Sequence, residues 1–213
     1  MMKKIIVTLA AALLLAPVTP TFADDAVAEK PKRKLNMKTY FNQMDIAKKD
    51  ATKFETPILV IVMLDDDEKS TMVKRYVLNN KFFKKFAPAN FVTLVLKGKK
   101  NEKDKKLVDK KSFKKGWDLI EKFGMDADRK AVTDTADMAT KYPTAFFVSA
   151  DCEKKLAHLP KYDPELGFGA WAMEVVAKLE AAGVSAVVSP DLKKAIENPQ
   201  PDVKQAVKAG KKK

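Results

Sequence analysis

A single thiol, a single imidazole, a run of four acids and a dense run of lysines are the side chains in this sequence whose types and spacing could do chemistry. The acids are Asp65, Asp66, Asp67 and Glu68, directly after an apolar run. Carboxylates there can bind a hard cation such as Ca²⁺ or Mg²⁺, or can cap and complement the start of a helix. The run lacks the alternating acids and the glycine of an EF-hand loop, so capping is the expectation, with no metal and no cofactor. Cys152 is the only cysteine and sits in a turn-like stretch, Ser149–Lys154. One thiol cannot close an internal disulfide, and a surface thiol is expected there. His158 is the only histidine. A histidine-based triad would have one candidate base and no glycine-framed serine to serve, so His158 reads as structural and no catalytic residue is expected.

The lysine run spans Lys97–Lys115, with ten lysines against Glu102, Asp104 and Asp109. Lys99, Lys100, Lys103, Lys105, Lys106, Lys110 and Lys111 form its candidate basic patch. The whole chain carries a formal charge of +13, while Arg33, Arg75 and Arg129 are its only arginines. Lysine is a hydrated point charge, whereas arginine is the planar reader of phosphate and bases. Aromatics are not interleaved through the run, so specific nucleic-acid binding is not expected. An anionic envelope surface is a possible partner on charge grounds, and a solvated, mobile insertion is the plainer expectation.

These residues need elements to position them. Met1–Lys4, the apolar stretch Ile5–Ala16 and the small residue Ala23 have the three parts of a secretory signal, 1–23, cleaved before Asp24. The apolar stretch is short for a bilayer span, so the mature chain is expected to be exported, periplasmic or secreted, and not transmembrane. Removing Lys3 and Lys4 leaves a charge of +11. Residues 24–36 read as a disordered lead-in. Met37–Ala51 has a helical apolar stripe, and Ile58–Leu64 is a continuous β-branched run that predicts a buried central strand. Helix is expected after Glu68, then a short helical piece with Phe82, Phe83 and Phe86, then a strand at Phe91–Leu96. Ser112–Phe123 predicts a helix stopped by Gly124, and Met125–Thr140 a loop. Strands are expected at Ala145–Val148 and near Leu156–Leu159, and a final helix at Gly169–Ala182. Trp117 and Trp171 fall on helical apolar stripes and read as core. Residues 37–185 are therefore one domain with an insertion at about 97–141, and 186–213 a weakly ordered basic tail.

The alternation of Ala47–Leu64, Met72–Leu96, Leu119–Met125, Tyr142–Val148 and Gly169–Glu180 resembles the thioredoxin-like superfamily, in its exported branch. The resemblance implies an α/β fold, a central mixed sheet flanked by helices. Tyr142-Pro143-Thr144 before an apolar strand is its most specific mark, and implies a cis Pro143 facing the redox site. The family's chemistry uses Cys-x-x-Cys at the start of the helix after the first strand, where the helix N-terminus activates a thiolate. This sequence has Asp67-Glu68-Lys69-Ser70 in that place. Asp67 and Ser70 then stand at degenerate active-site positions, with Pro143 opposite, because exchange with a disulfide needs a thiolate.

The expected function is that of an exported, redox-inactive thioredoxin-like protein, not an enzyme, acting as a binding or interaction module. The resemblance implies a groove beside Pro143 that binds extended peptide, with an unknown protein or peptide as partner. One alternative is an electrostatic binder of envelope polymer or membrane surface through the lysine-rich segments. Another is an enzyme using Cys152 or a metal on the acidic cluster.

Overall fold

The structure, a computed structural model, describes residues 39–103, 108–123 and 143–202. The expected signal peptide, lead-in and loop at Met125–Thr140 lie outside the described residues, as do Lys105 and Lys106. The described part begins with a short strand β1 (Tyr40–Phe41) and helix α1 (Met44–Phe54). Strand β2 (Ile58–Leu64), helix α2 (Glu68–Val73), a π-helical turn (Lys74–Leu78), α3 (Phe83–Asn90) and β3 (Val92–Lys100) come after them. Next come β4 (Val108–Asp109), a 3-10 segment (Lys110–Gly116) and α4 (Trp117–Phe123). Strands β5 (Thr144–Val148) and β6 (Lys155–Leu159) then lead to α5 (Gly167–Ala181) and α6 (Pro190–Glu197).

The sheet order is β1-β3-β2-β5-β6, with β4 paired to the end of β3. Strand β2 is parallel to β3 and antiparallel to β5, and β6 is antiparallel to β5. This is the expected central mixed sheet flanked by helices. Every residue of β2 is buried, because both faces of the sheet are covered. Ile58, Val60, Val62 and Leu64 point to a layer with α1, α4 and the 3-10 segment. Leu59, Ile61 and Met63 point to the other layer, with α2, α3, α5 and α6. The period of two along the strand thus divides one apolar run between two cores.

Three expectations are corrected. Tyr40 and Phe41, read as part of a helix over Met37–Ala51, instead pair in parallel with Leu94 and Val95. The reason is Asn42, at φ 51, which turns the chain and docks on β3. Its Nδ2 donates to the Lys97 carbonyl at 2.8 Å and its Oδ1 accepts the Lys97 N–H at 2.7 Å. The Tyr40 hydroxyl donates to Asp50 on α1, and burial together with that carboxylate pushes the phenol up to about 12.

The lysine-rich stretch, expected to be mobile, packs in its described parts. Strand β3 continues through Lys100, and Lys99 and Lys100 pair with Asp109 and Val108. Phe113 and Val108 are buried in the α1/α4 layer. Lysines flank these anchors on the solvent side, so composition alone conceals them. The helix expected over Ser112–Phe123 is broken at Lys114, whose φ is 52.

The tail expected from residue 186 is likewise docked through residue 202. Ser189 caps α6 by accepting the Leu192 N–H at 3.3 Å, and Leu192 is buried in the second core. The Asn90 side chain holds the preceding segment. Its Oδ1 accepts the Val187 N–H at 2.6 Å, and its Nδ2 donates to the Phe86 and Val187 carbonyls at 2.8 and 3.0 Å. Among the described residues no helix is long and apolar enough to cross a membrane.

Candidate functional site

The end of β2 and the start of α2 position Asp67 and Ser70, the residues that the resemblance implied to be degenerate active-site positions. The Asp65 N–H donates to the Gly98 carbonyl at 2.8 Å, and Asp66 takes φ 58. That turn leaves Asp67 extended as the N-cap of α2, where its carboxylate accepts the Ser70 N–H at 2.7 Å. Ser70 is buried, and its Oγ accepts the Leu64 N–H at 3.0 Å. Both side chains are therefore employed in joining strand to helix. A carboxylate and a hydroxyl in these places can accept hydrogen bonds but cannot exchange with a disulfide.

Pro143 is buried at the head of β5 and lines a small pocket. Ile61, Val73, Val77 and Trp171 form its apolar floor, and Lys161 and Tyr162 stand among its other walls. Its interior volume is about 20 Å³, room for roughly one water. Ser70 lies one turn ahead of Val73 on α2, but neither Ser70 nor Asp67 lines the pocket.

Two residues that sequence reasoning missed belong to this site. The Tyr162 hydroxyl donates to the carboxylate of Asp202, and Tyr76 stacks on the Tyr162 ring at 6.2 Å between centroids. Burial, and then the Asp202 carboxylate, raise the Tyr162 phenol far above its ordinary value. No local pattern marks this pair. Its two members come from a loop and from a proline-rich segment read as tail.

The acidic cluster and the lysine run, read separately from sequence, meet. Lys97 forms an ion pair with Asp65. Lys99 and Lys100 share an open hollow of about 620 Å³ with Asp65, Asp66 and Glu102. The Lys110 ammonium lies 4.9 Å from the Trp117 ring, and the Lys111 N–H donates to Asp109 at 3.1 Å. Lys103 is exposed. Asp67 serves as a cap and Glu68 opens α2. Among the described residues no group of three His, Cys, Asp or Glu side chains is placed to hold a metal ion.

Cys152, expected at the surface, is buried. It sits at φ 61 in the β5–β6 turn and faces the α1/α4 layer, on the opposite side of the sheet from the pocket floor. Its N–H donates to the Ser149 carbonyl at 2.9 Å. Desolvation pushes the thiol up, against the opposing pull of Lys48. A raised, covered thiol is a poor nucleophile. The His158 Nε2 lies 3.3 Å from the Thr144 hydroxyl and links β6 to β5.

The described residues form an α/β protein with a central mixed sheet flanked by helices, and Asp67 and Ser70 stand at the strand–helix junction where the resemblance implied a redox motif. Among solved structures, one described as DsbH Oxidoreductase is similar, with a TM-score of 0.48 at 17% identity over 71% of this chain and 90% of that one. No protein-family model and no curated protein matches the chain.

Proposed function

We propose that this chain is an exported, redox-inactive thioredoxin-like protein that binds extended peptide segments of a partner protein in the groove beside Pro143. The observation that carries the reading is the use of the two active-site positions. Asp67 and Ser70 are tied into the strand–helix junction, and the chain's one thiol is buried in the other core. The apolar lining beside Pro143 supports binding of an aliphatic side chain. Two observations weigh against the other readings. Lys97, Lys99 and Lys100 face Asp65, Asp66 and Glu102, which reduces the field available to an anionic surface. Burial of Cys152 weighs against an enzyme that works through that thiol.

The redox half is tested with insulin and dithiothreitol. The wild-type chain should reduce insulin no faster than dithiothreitol alone, and catalysis above that rate overturns the reading. The double variant Asp67→Cys/Ser70→Cys should form an intramolecular disulfide and gain measurable activity, since positions three apart at a helix start share a face. Loss of the cap should cost it about 1 kcal/mol in the reduced form. Asp65, Asp66 and Glu68 should keep its thiolate less favoured than in an active thioredoxin. An oxidised sample carrying only intermolecular disulfides would show that 67 and 70 are not the redox positions.

The binding half is tested by fluorescence anisotropy with a labelled peptide of alternating valine and serine. Saturable binding that is lost in Ala145→Leu, which fills the pocket, supports the groove. Identical curves for the two chains would refute it. Export has its own measurement. Mass spectrometry of the protein recovered from its native source should give a chain starting near Asp24, and an intact Met1 on cytosolic protein would contradict it.

A further inference from the structure

Residues 199–202 lie across the start of α5, and α5 is shaped to receive them. A Cβ at Gly167 would stand 2.8 Å from the Gln200 carbonyl carbon and closer still to its oxygen. One at Gly169 would stand 2.9 Å from the Ala195 carbonyl carbon. The absence of both side chains lets the backbone of α6 and of the segment after it come into direct contact with α5.

Asp202 pins this segment. Its N–H donates to the Pro164 carbonyl at 3.0 Å. Its Oδ2 accepts the Phe168 N–H at 2.9 Å and also the Tyr162 hydroxyl. The carboxylate is buried, so these contacts are its solvation. The same Tyr162 is a wall of the pocket beside Pro143, braced from behind by Tyr76. With Tyr162 held there, the pocket is shallow, with an interior volume of about 20 Å³.

We infer that the segment 199–202 is a latch: Asp202, by holding Tyr162, keeps the pocket beside Pro143 small, and its release widens the pocket for an aliphatic side chain of an extended peptide. This rests on the groove reading above. Asp202 is a positioning residue that acts through Tyr162 and does not itself meet the peptide. The free energy of the latch is subtracted from that of binding, so removing it should tighten binding.

The decisive variant is Tyr162→Phe. It cuts the hydroxyl contact that holds the ring, and leaves the Asp202 cap on α5 and the docked segment in place. Its affinity for the valine–serine peptide should rise by about fivefold or more, with the melting temperature close to wild type. Asp202→Ala should give a similar gain in affinity with a lower melting temperature, because it also removes the cap. Asp202→Asn, which keeps an acceptor, should stay near wild type in affinity. A purely structural role for Asp202 would move stability and leave affinity alone. Unchanged or weaker binding in Tyr162→Phe overturns the latch, while loss of wild-type binding in Ala145→Leu would still stand for the groove. If no chain binds the peptide, the groove reading fails and the latch is judged by nitration of Tyr162 with tetranitromethane. Faster nitration in Asp202→Ala than in wild type, scaled to Tyr76, supports it, and equal rates overturn it.

Discussion

Phe113→Ala is expected to cost about 3–5 kcal/mol in urea denaturation, a large fraction of the stability of a single domain. The ring is fully buried, although it comes from the most lysine-rich part of the chain. It occupies the space above Gly98, where an added Cβ would lie 2.6 Å from the Phe113 Cε1. It also meets Trp117, with the ring centroids 5.8 Å apart. In return, Leu96 fills the space over Gly116, 2.9 Å from where a Cβ would be. The two glycines and two large side chains thus interlock β3 with the 3-10 segment. Truncation would leave a cavity, and the neighbouring exposed lysines are kept from filling it by ammonium groups that must stay in water. Secondary anchors would loosen with it. Ser112 Oγ accepts the Lys99 N–H at 2.8 Å and donates to the Asp109 carbonyl at 2.6 Å. A loss below about 1 kcal/mol would mean that the segment is a detachable appendage whose lysines alone matter. The packing also runs against the expectation of a solvated, mobile insertion. Deleting residues 99–110 would remove the end of β3, all of β4 and the lead into Phe113.

The second large effect is expected for Gly167→Ala, at about 2–4 kcal/mol by the same measurement. Two costs combine. At φ +79 an L side chain is strained by about 1–2 kcal/mol. The new methyl also strikes the Gln200 carbonyl, a backbone group that cannot rotate away. The cheaper response is for residues 199–202 to leave α5, so the steric cost is capped by the free energy of docking that segment, and the strain adds to it. A new protease-sensitive site after Asn198 should therefore accompany the loss. Gly183 supplies the control. Its φ is +77, but a Cβ there meets nothing within 4 Å, so Gly183→Ala should show the strain alone. Equal losses for the two variants, with no change in proteolysis, would show that the docked segment contributes nothing.

Much of the architecture was legible because its signals are local. Seven consecutive apolar residues at Ile58–Leu64 can only be a strand covered on both faces in a chain of this kind. Asp67 as a helix cap was readable from its residue type and place, and the N–H it accepts is that of Ser70, three residues on. The departures also have physical reasons. Tyr40 and Phe41 have helical spacing with Met44 and Ala47, yet two backbone-like hydrogen bonds between Asn42 and Lys97 hold them as strand. Leu192 and Ile196 were too few to outweigh three prolines and a basic terminus in a window reading, but the second core lay ready to receive them.

The sequence by itself determined the order of elements, the two-sided burial of β2 and the absence of any thiol at positions 67 and 70. These depend on residue type, strand and helix periodicity, and covalent chemistry, all of which act within a few residues. Only the tertiary structure decided that Asp65 would meet Lys97, that Phe113 and Cys152 would be buried, and that Asp202 would hold Tyr162 from forty residues away. Such pairings depend on which surfaces the sheet brings together. A charge or a ring carries no mark of its distant partner, and becomes buried or paired only when long-range packing removes the water that would otherwise solvate it.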